Sequence, residues 1–405
     1  MNRRFQFAVV ASSTCVVGLL IFGAVHARSA SPDTPYNHLG VYGEVLARIK
    51  TEYVEEPDLK AVTLGAINGM LESIDPYASY LNADQYKQYV KAHDSNKAGV
   101  GLVISKRLGY VGVVDSVPGS PAAKATLTTG DVIESINNVS TRDMPLAFAE
   151  ILLHGDPGTT VELGVLRVRK AEPQKVTLIR AAEAFPPVAA KTVTDDGQSI
   201  GVIQTSTLEA GRVKEIASKI ADLEKQGAKR LILDLRHCST GSPDDGIALA
   251  NLFLDKGLIT YTQGQKSTRQ DFSAVASRAV TKLPLLIITN RGTADGAEVA
   301  AAALLDSKRA EVLGERTYGD ASIRKAITMD DGSAVILSVA KYYSPSGKSI
   351  QDNGVTPSMP QVEVEAADVT DDDALDTPDV PAPKPGVDEL MNRAIRASKG
   401  LNTTK

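Results

Sequence analysis

The chain has 405 residues, 43% of them hydrophobic and 23% charged, and a formal net charge of −5. This length and composition predict two or three globular domains with cores of ordinary size. The acidic balance offers no broad basic surface for phosphates, and the absence of Trp argues against stacking platforms for bases. Nucleic acid is therefore not an expected partner.

The first residues have the pattern of an export signal. Two arginines precede an apolar run over residues 7–25, and small residues follow at the position of signal-peptide cleavage. We predict that residues 1–27 form a signal peptide or, because the run approaches spanning length, a membrane anchor. Both alternatives place the rest of the chain in the periplasm or another extracytoplasmic compartment, either soluble or attached to the membrane.

Residues 37–95 have the periodicity of helices. Leu64, Ile67, Leu71 and Ile74 recur at helical spacing, which predicts an apolar stripe. We therefore predict an N-terminal helical region over these residues.

At about residue 96 the sequence pattern changes to that of short strands. Apolar segments at 100–104 and 110–114 flank a turn, and a short helix is predicted at 145–153. These elements predict a compact α+β module that ends near residue 181.

Residues 182–360 alternate between strand and helix patterns, which predicts a layered αβ core. Within them, residues 231–235 form a continuous apolar strand, typical of a sheet buried on both faces. Residues 361–405 begin as an acidic, Pro-rich segment that predicts a solvated linker. A short amphipathic helix is predicted after the linker, at 387–397.

Three motifs then occur in a defined order. They are Leu-Asp-Leu-Arg at residues 233–236, a turn and helix start at 290–298, and a glycine-bounded segment at 314–324. Together they resemble the motifs L-D-L-R, N-x-G-S-A-S-A-S-E and G-E-x-T-F-G-K-G-S-V-Q of the carboxy-terminal-processing (tail-specific) serine peptidase family. The resemblance implies a multidomain α+β fold with the N-terminal helical region, a PDZ-like domain at 96–181 and a layered αβ peptidase core at 182–360.

The resemblance also implies a catalytic Ser/Lys pair, in which an unprotonated Lys takes the proton of the Ser, and a Gln four residues after the Lys. In this chain the Ser position is Asp295, the Lys position is Asp320 and the Gln position is Arg324. Backbone N–H groups would bind the oxyanion, and Gly241 and Gly296 are the candidates. A carboxylate attacks an amide poorly, and a second carboxylate cannot replace a neutral amine as the base. We therefore predict a pseudopeptidase with no active catalytic residue and no cofactor.

Other uses of the two aspartates stay open at this point. They could share a proton, as in aspartic peptidases, or hold a divalent cation together with Glu298. The simpler interpretation, which we favour, pairs them with nearby cations such as Arg316 and Arg324, so no metal site is expected. The alternative function is an active serine-type or otherwise modified endopeptidase that cleaves proteins near their C-termini.

The segment after the Leu-Asp-Leu-Arg motif departs from the family's glycine loop, N-N-P-G-G. Residues 237–241 are His-Cys-Ser-Thr-Gly, so only the last glycine is kept. Adjacent His237 and Cys238 suggest thiol catalysis or a soft-metal site. Neighbours on an extended segment point in opposite directions, however, so we interpret Cys238 as a small buried apolar residue.

Residues 96–181 resemble the PDZ domain of the same family. The match to its G-I-G-I loop is formed by Gly99, Val100, Gly101 and Leu102. Successive backbone N–H groups of such a loop bind a terminal carboxylate, and Gly allows the ligand to approach closely. The strand that follows could pair with the bound peptide.

One turn of this domain has Thr126 where the family has Gly, and we expect strain there. The resemblance implies that peptide or protein C-termini are the partners. Mixed oligomers with an active paralogous peptidase are the other partnership that we expect.

Overall fold

The structure, a computed structural model, describes residues 35–93, 98–107, 109–167, 172–182, 185–209, 211–362 and 388–401. The predicted signal or anchor and most of the acidic linker lie outside the described residues. Within the described part, no helix is both long and apolar enough to span a bilayer. The chain divides into two compact units, residues 1–66 and 67–405.

Helices dominate the N-terminal region. Its elements are α1 (Pro35–Glu52), α2 (Leu59–Glu72), β1 (Ser79–Leu81) and α3 (Ala83–His93). Asp58 caps the start of α2, because its carboxylate accepts the N–H groups of Lys60 and Ala61 at 2.9 and 3.1 Å. The predicted apolar stripe is wrong at Ile74, which lies beyond the end of α2 and is 72% exposed.

The next module is built on one antiparallel sheet. In chain order its elements are β2 (Leu102–Arg107), β3 (Tyr110–Ser116), α4 (Pro121–Lys124), β4 (Val132–Ile136), β5 (Val139–Ser140), α5 (Leu146–Leu153), β6 (Thr160–Leu166) and β7 (Gln174–Ile179). The strand order is β2-β3-β4-β6-β7, with β5 on β4, so β2 lies at one edge. Alternate apolar side chains of these strands, among them Ile133 and Leu163, pack with α5 into a single core.

Thr126 lies in the turn between α4 and β4 and has a φ of +56°. In this left-handed conformation the Cβ of a non-Gly residue crowds the following carbonyl, at a cost of about 1–2 kcal/mol. Arg167 offsets part of this strain by donating to Thr126 Oγ1 at 3.0 Å. The turn thus keeps the backbone conformation that suits Gly, although the residue has changed.

We expect Thr126→Gly to raise the free energy of unfolding by about 0.5–1 kcal/mol, since the relief of strain exceeds the added chain entropy of Gly in the unfolded state. Thermal unfolding of the two proteins measures the difference. Thr126→Ala is the control, because it removes the hydroxyl contact but keeps a Cβ at the same φ, and it should not stabilise. A lower midpoint for Thr126→Gly than for the unchanged chain would contradict the strain.

The remaining elements alternate between strand and helix. In chain order they are β8 (Ala189–Asp195), β9 (Gln198–Gln204), α6 (Arg212–Lys225), β10 (Arg230–Asp234), α7 (Pro243–Asn251), β11 (Leu258–Gln263), β12 (Gln270–Ser273), β13 (Leu285–Thr289), α8 (Gly296–Asp306), β14 (Ala310–Gly314), β15 (Ser322–Thr328), β16 (Ala334–Tyr343), β17 (Met359–Pro360) and α9 (Glu389–Ser398). One sheet has the order β17-β14-β13-β10-β9-β8 and is parallel except for β8. Strands β11, β12, β15 and β16 form another sheet with β1.

Helices cover both faces of the parallel sheet. Leu231 and Leu233 of β10 pack against α6, α7 and α8, whereas Ile232 between them packs against α9 on the opposite face. All three side chains are fully buried, which explains the uninterrupted apolar run in the sequence. This mixed helix and sheet architecture, with its layered core, confirms the predicted fold class.

Two ion pairs that share Arg236 connect the start of α9 to the end of β10. Asp388 pairs with Arg236 at 2.7 Å, and Arg236 pairs with the fully buried Asp234 at the end of β10, also at 2.7 Å. The Leu-Asp-Leu-Arg motif therefore joins the C-terminal helix to the strand end that leads into residues 237–241.

Candidate functional site

Asp295 lies where β13 passes through a tight turn into α8, at the carboxyl edge of the parallel sheet, where α/β sheets commonly place their sites. It is the N-cap residue of α8, with a φ of 52° and a ψ of −125°. Non-Gly residues rarely adopt this conformation, which costs about 1–3 kcal/mol. Thr293 fixes the turn, because its hydroxyl donates to the Leu235 carbonyl at 2.8 Å and accepts the Asn290 N–H at 3.1 Å.

Glu298, one turn into α8, connects the two dyad positions. Its fully buried carboxyl accepts the N–H of Asp295 at 3.2 Å, that of Asp320 at 2.8 Å and that of Gly319 at 2.7 Å, and it also accepts the Thr317 hydroxyl. Burial raises the pKa of Glu298 to about 8, against the opposing effect of these hydrogen bonds. The Glu298 side chain thus connects the start of α8 at Asp295 to the backbone at residues 319 and 320.

Asp320 is paired with a cation. Its carboxylate accepts a hydrogen bond from Arg324, four residues later at the start of β15, and the Arg324 guanidinium lies 3.9 Å from the ring centre of Tyr77. The Tyr77 hydroxyl also faces Asp320. The interpretation of Asp320 as a partner of Arg324 thus agrees with the geometry.

The negative charge of Asp320 affects the protonation of Asp295. Burial, followed by the negative charge of Asp320, raises the pKa of Asp295 well above its usual range, although Arg324 opposes the shift. Burial also raises the pKa of Asp320, and here too Arg324 opposes the effect. The site therefore favours a neutral acid at residue 295 beside the Asp320–Arg324 pair.

The two oxyanion candidates contact each other. The Gly296 N–H donates to the Gly241 carbonyl at 3.1 Å, so this donor is already used within the protein. Gly241 has a φ of 124°, and a Cβ there would lie 2.6 Å from Leu208 Cβ. Thr240 holds the loop in place by donating from its hydroxyl to Thr207 Oγ1 at 2.8 Å. This arrangement does not present both N–H groups to a common ligand.

Cys238 is fully buried, and its pKa is raised by burial and then by the charges of Asp115, Asp234 and Asp295. A thiol in this setting stays protonated and is a poor nucleophile. The ring of His237 contacts Asp115 instead, so His237 and Cys238 do not form a catalytic pair. Within the described part of the chain, no group of three or more His, Cys, Asp or Glu side chains could hold a metal ion.

The predicted carboxylate loop, residues 99–102, lies beside the segment that follows β7. Gly99 forms a two-way backbone bridge with Ala181, with N···O distances of 3.1 and 2.9 Å. Gly101 has a φ of +71°, and a Cβ at this residue would lie 2.2 Å from Ser120 Cβ, so only Gly fits. The Val100 side chain packs into the core of the module, and Leu102 begins β2.

The sequence indicates Glu298 only as a candidate third ligand of a divalent cation, and no pattern predicts a role for Tyr77 by itself. The supporting signal for Tyr77 was its place in residues 71–81, a stretch that resembles the family motif S-L-D-P-H-S-S-Y-L.

Known protein families and relatives match most of the chain. Residues 199–361 match Peptidase family S41, and residues 112–167 match the PDZ domain. The carboxy-terminal processing protease CtpA of Bacillus subtilis is 32% identical over 378 residues, which cover 91% of this chain and 79% of that protein. The carboxyl-terminal-processing protease of Synechocystis sp. is 34% identical over 316 residues, covering 76% and 73%.

The fold has a counterpart among solved structures. The photosystem II D1 C-terminal processing protease superposes with a TM-score of 0.65 at 29% identity, over 78% of this chain and 86% of that one. The sequence matches and this fold confirm the resemblance inferred from the motifs. The chain therefore belongs to peptidase family S41, among the carboxy-terminal processing proteases, and contains a PDZ domain.

Proposed function

We propose that this protein is an exported pseudopeptidase that binds the carboxyl termini of peptides or proteins through its PDZ domain. The Asp320–Arg324 ion pair at the position of the base carries the proposal. A carboxylate bound to a guanidinium is a weak base, and the neutral carboxyl favoured at Asp295 is no nucleophile. The relatives are named proteases, and this chain differs from the family motif at both positions that perform the chemistry.

The carboxylate loop supports the binding half of the proposal. Within the described residues, the N–H groups of Val100 and Gly101 donate to no protein acceptor, whereas the Gly99 N–H is used by Ala181. A terminal carboxylate needs such unpaired donors. Strand β2 follows directly and lies at the sheet edge, where an extended peptide can add as a further strand.

The proposal also covers the domain organisation of the chain. Residues 1–27 would direct export or anchor the chain, the PDZ domain would extend over 96–181 and the peptidase-like core over 182–360. Residues 37–95 and 361–405 would flank them. An active paralogous peptidase is the proposed partner in mixed oligomers, because a chain that binds C-termini without cutting them can deliver or withhold a substrate.

Peptide binding tests the proposal. A labelled peptide with an apolar C-terminal residue should bind, and the same peptide with an amidated terminus should not, because the loop binds the carboxylate. Gly101→Ala should weaken binding at least about tenfold, since its Cβ would meet Ser120. Gly119→Ala is the matched control, because Gly119 has a similar φ of +83° and a Cβ added there would meet no heavy atom within 4 Å. Equal binding of the free and amidated peptides would contradict the proposal.

Cleavage is the second readout. The purified protein should leave an unstructured protein substrate intact, both at neutral pH and at about pH 4–5, where an acid pair can share one proton. The raised pKa of Asp295 beside Asp320 favours such an acid pair as the second candidate. Cleavage that disappears in Asp295→Ala and in Asp320→Ala would replace the pseudopeptidase by that mechanism.

A further inference from the structure

His237 is the first residue after the Leu-Asp-Leu-Arg motif, and it contacts two separate parts of the fold. It has a φ of +57°, and its backbone N–H donates to Asn290 Oδ1 at 3.1 Å. Its ring Nδ1 lies 3.0 Å from Oδ1 of Asp115, on β3 of the PDZ domain, and Nε2 lies 3.0 Å from Asn290 Nδ2. The side chain therefore bridges the PDZ domain and the turn that leads to Asp295.

The orientation of the Asn290 amide fixes the proton positions on this ring. Asn290 Oδ1 accepts two backbone N–H groups, from His237 and from Gly292, each at 3.1 Å. The amide nitrogen must therefore face the ring, and because it can only donate, His237 Nε2 must accept. In the neutral ring the proton then lies on Nδ1, which donates to Asp115.

Asp115 requires this donor. Its side chain is only 5% exposed, although His237 itself is 47% exposed. The second carboxylate oxygen, Oδ2, is buried and has no hydrogen-bond partner among the described residues. A buried carboxylate with few donors is costly unless it keeps the ones it has. The contact with His237 is therefore a main source of compensation for Asp115.

Gly292 shows how closely this contact is packed. A Cβ at residue 292 would lie 3.1 Å from both Asp115 Cγ and His237 Nδ1. Contacts this short require a neighbour to move, so only Gly leaves the His237–Asp115 contact undisturbed. The turn before Asp295, the PDZ strand and His237 thus fit together at one point.

We infer that His237, as the Nδ1–H tautomer, is a positioning residue that fixes residues 238–241 to the PDZ domain through Asp115. These residues form the segment that the family uses as its oxyanion loop. The family loop has Asn in this place, so the bridge is a property of this chain's own departure from the motif. The inference goes beyond the proposed function, because it holds whether or not the protein cleaves peptides.

Nitrogen-15 NMR of the histidine rings tests the tautomer in the unchanged protein. The chain has 5 histidines, and the loss of one signal set in His237→Ala identifies the relevant ring. At about pH 8, where an ordinary imidazole is neutral, His237 should carry its proton on Nδ1. With the ring identified in this way, a proton on Nε2 in the unchanged protein would overturn the inference.

Amide hydrogen exchange tests the positioning role. His237→Ala should accelerate exchange at residues 238–241 about tenfold or more, while the core strand β10 keeps its protection. Asp115→Asn is the conservative variant, because its amide oxygen can still accept from Nδ1–H, and it should keep both the tautomer and the slow exchange. Unchanged exchange at 238–241 in His237→Ala would overturn the role in positioning, and loss of the Nδ1–H tautomer in Asp115→Asn would count against the assigned acceptor.

Discussion

Asp295→Ser, Asp320→Lys and Arg324→Gln together are expected to restore the family dyad but give only trace cleavage of an unstructured protein substrate. The reason lies outside the dyad. The N–H of Gly296, the residue that follows position 295, already donates to the Gly241 carbonyl at 3.1 Å. Loss of one oxyanion donor lowers the rate of acyl transfer by about 10²–10³.

Two further changes should release that donor. Ser239→Pro and Thr240→Gly restore the family sequence in the second half of the loop, and Thr240→Gly also removes the hydroxyl that donates to Thr207 at 2.8 Å. The combined variant should cleave about 10²–10³ times faster than the triple variant in a single-turnover assay. Its counterpart with Ala at residue 295 should be inactive. Equal rates with and without the loop changes would show that the Gly296–Gly241 contact does not limit activity.

The free energy of unfolding is expected to fall as the pH rises from about 5.5 to 8, because of Glu298. Its pKa is about 8 in the folded protein and 4.5 in its ordinary state, so the folded chain binds more protons between these values. The stabilisation is complete below the lower value and is lost through the upper one. At 1.36 kcal/mol per pH unit, the decline is about 3 kcal/mol over this interval. The raised pKa values of Asp295 and Asp320 act in the same direction.

Denaturant titrations at several pH values measure this dependence. Glu298→Gln should flatten the curve, since the amide does not titrate, and it should be less stable than the unchanged chain at about pH 5.5, because its NH₂ group faces N–H donors. Glu162→Gln is the control, because the Glu162 carboxylate is 38% exposed and pairs with Lys175 at the surface. An unaltered slope in Glu298→Gln would contradict the raised pKa.

The long and strongly patterned elements could be predicted from the sequence. The amphipathic helix expected at 387–397 corresponds to α9 (Glu389–Ser398), and the apolar run at 231–235 contains most of β10. Strands β1 and β15 were not predicted. Strand β1 is short and pairs with β16, which lies far later in the chain, so no local pattern marks it. Strand β15 is mostly exposed, so it lacks the alternation of buried and exposed residues that marks a strand.

The candidate site, too, could be predicted from the sequence only in part. Family motifs could indicate which residues stand at the dyad positions, because such motifs are local in the sequence. They could not indicate that Glu298 accepts hydrogen bonds from both positions, or that His237 contacts Asp115, which lies 122 residues earlier. Contacts of this kind depend on how whole domains pack, and no local pattern records them.

The strained backbone conformation of Asp295 follows from the structure around it. Its φ of 52° and ψ of −125° suit a side chain that must project from a sharp turn, and such strain persists only where the surrounding structure fixes the backbone. Asp295 has this conformation, and its N–H donates to the Glu298 carboxyl at 3.2 Å. Glycine would adopt it without strain, and the surrounding turn would need no change. Under the proposed function, the packing of α8 and the hydrogen bond to Glu298 keep this conformation without any contribution from catalysis.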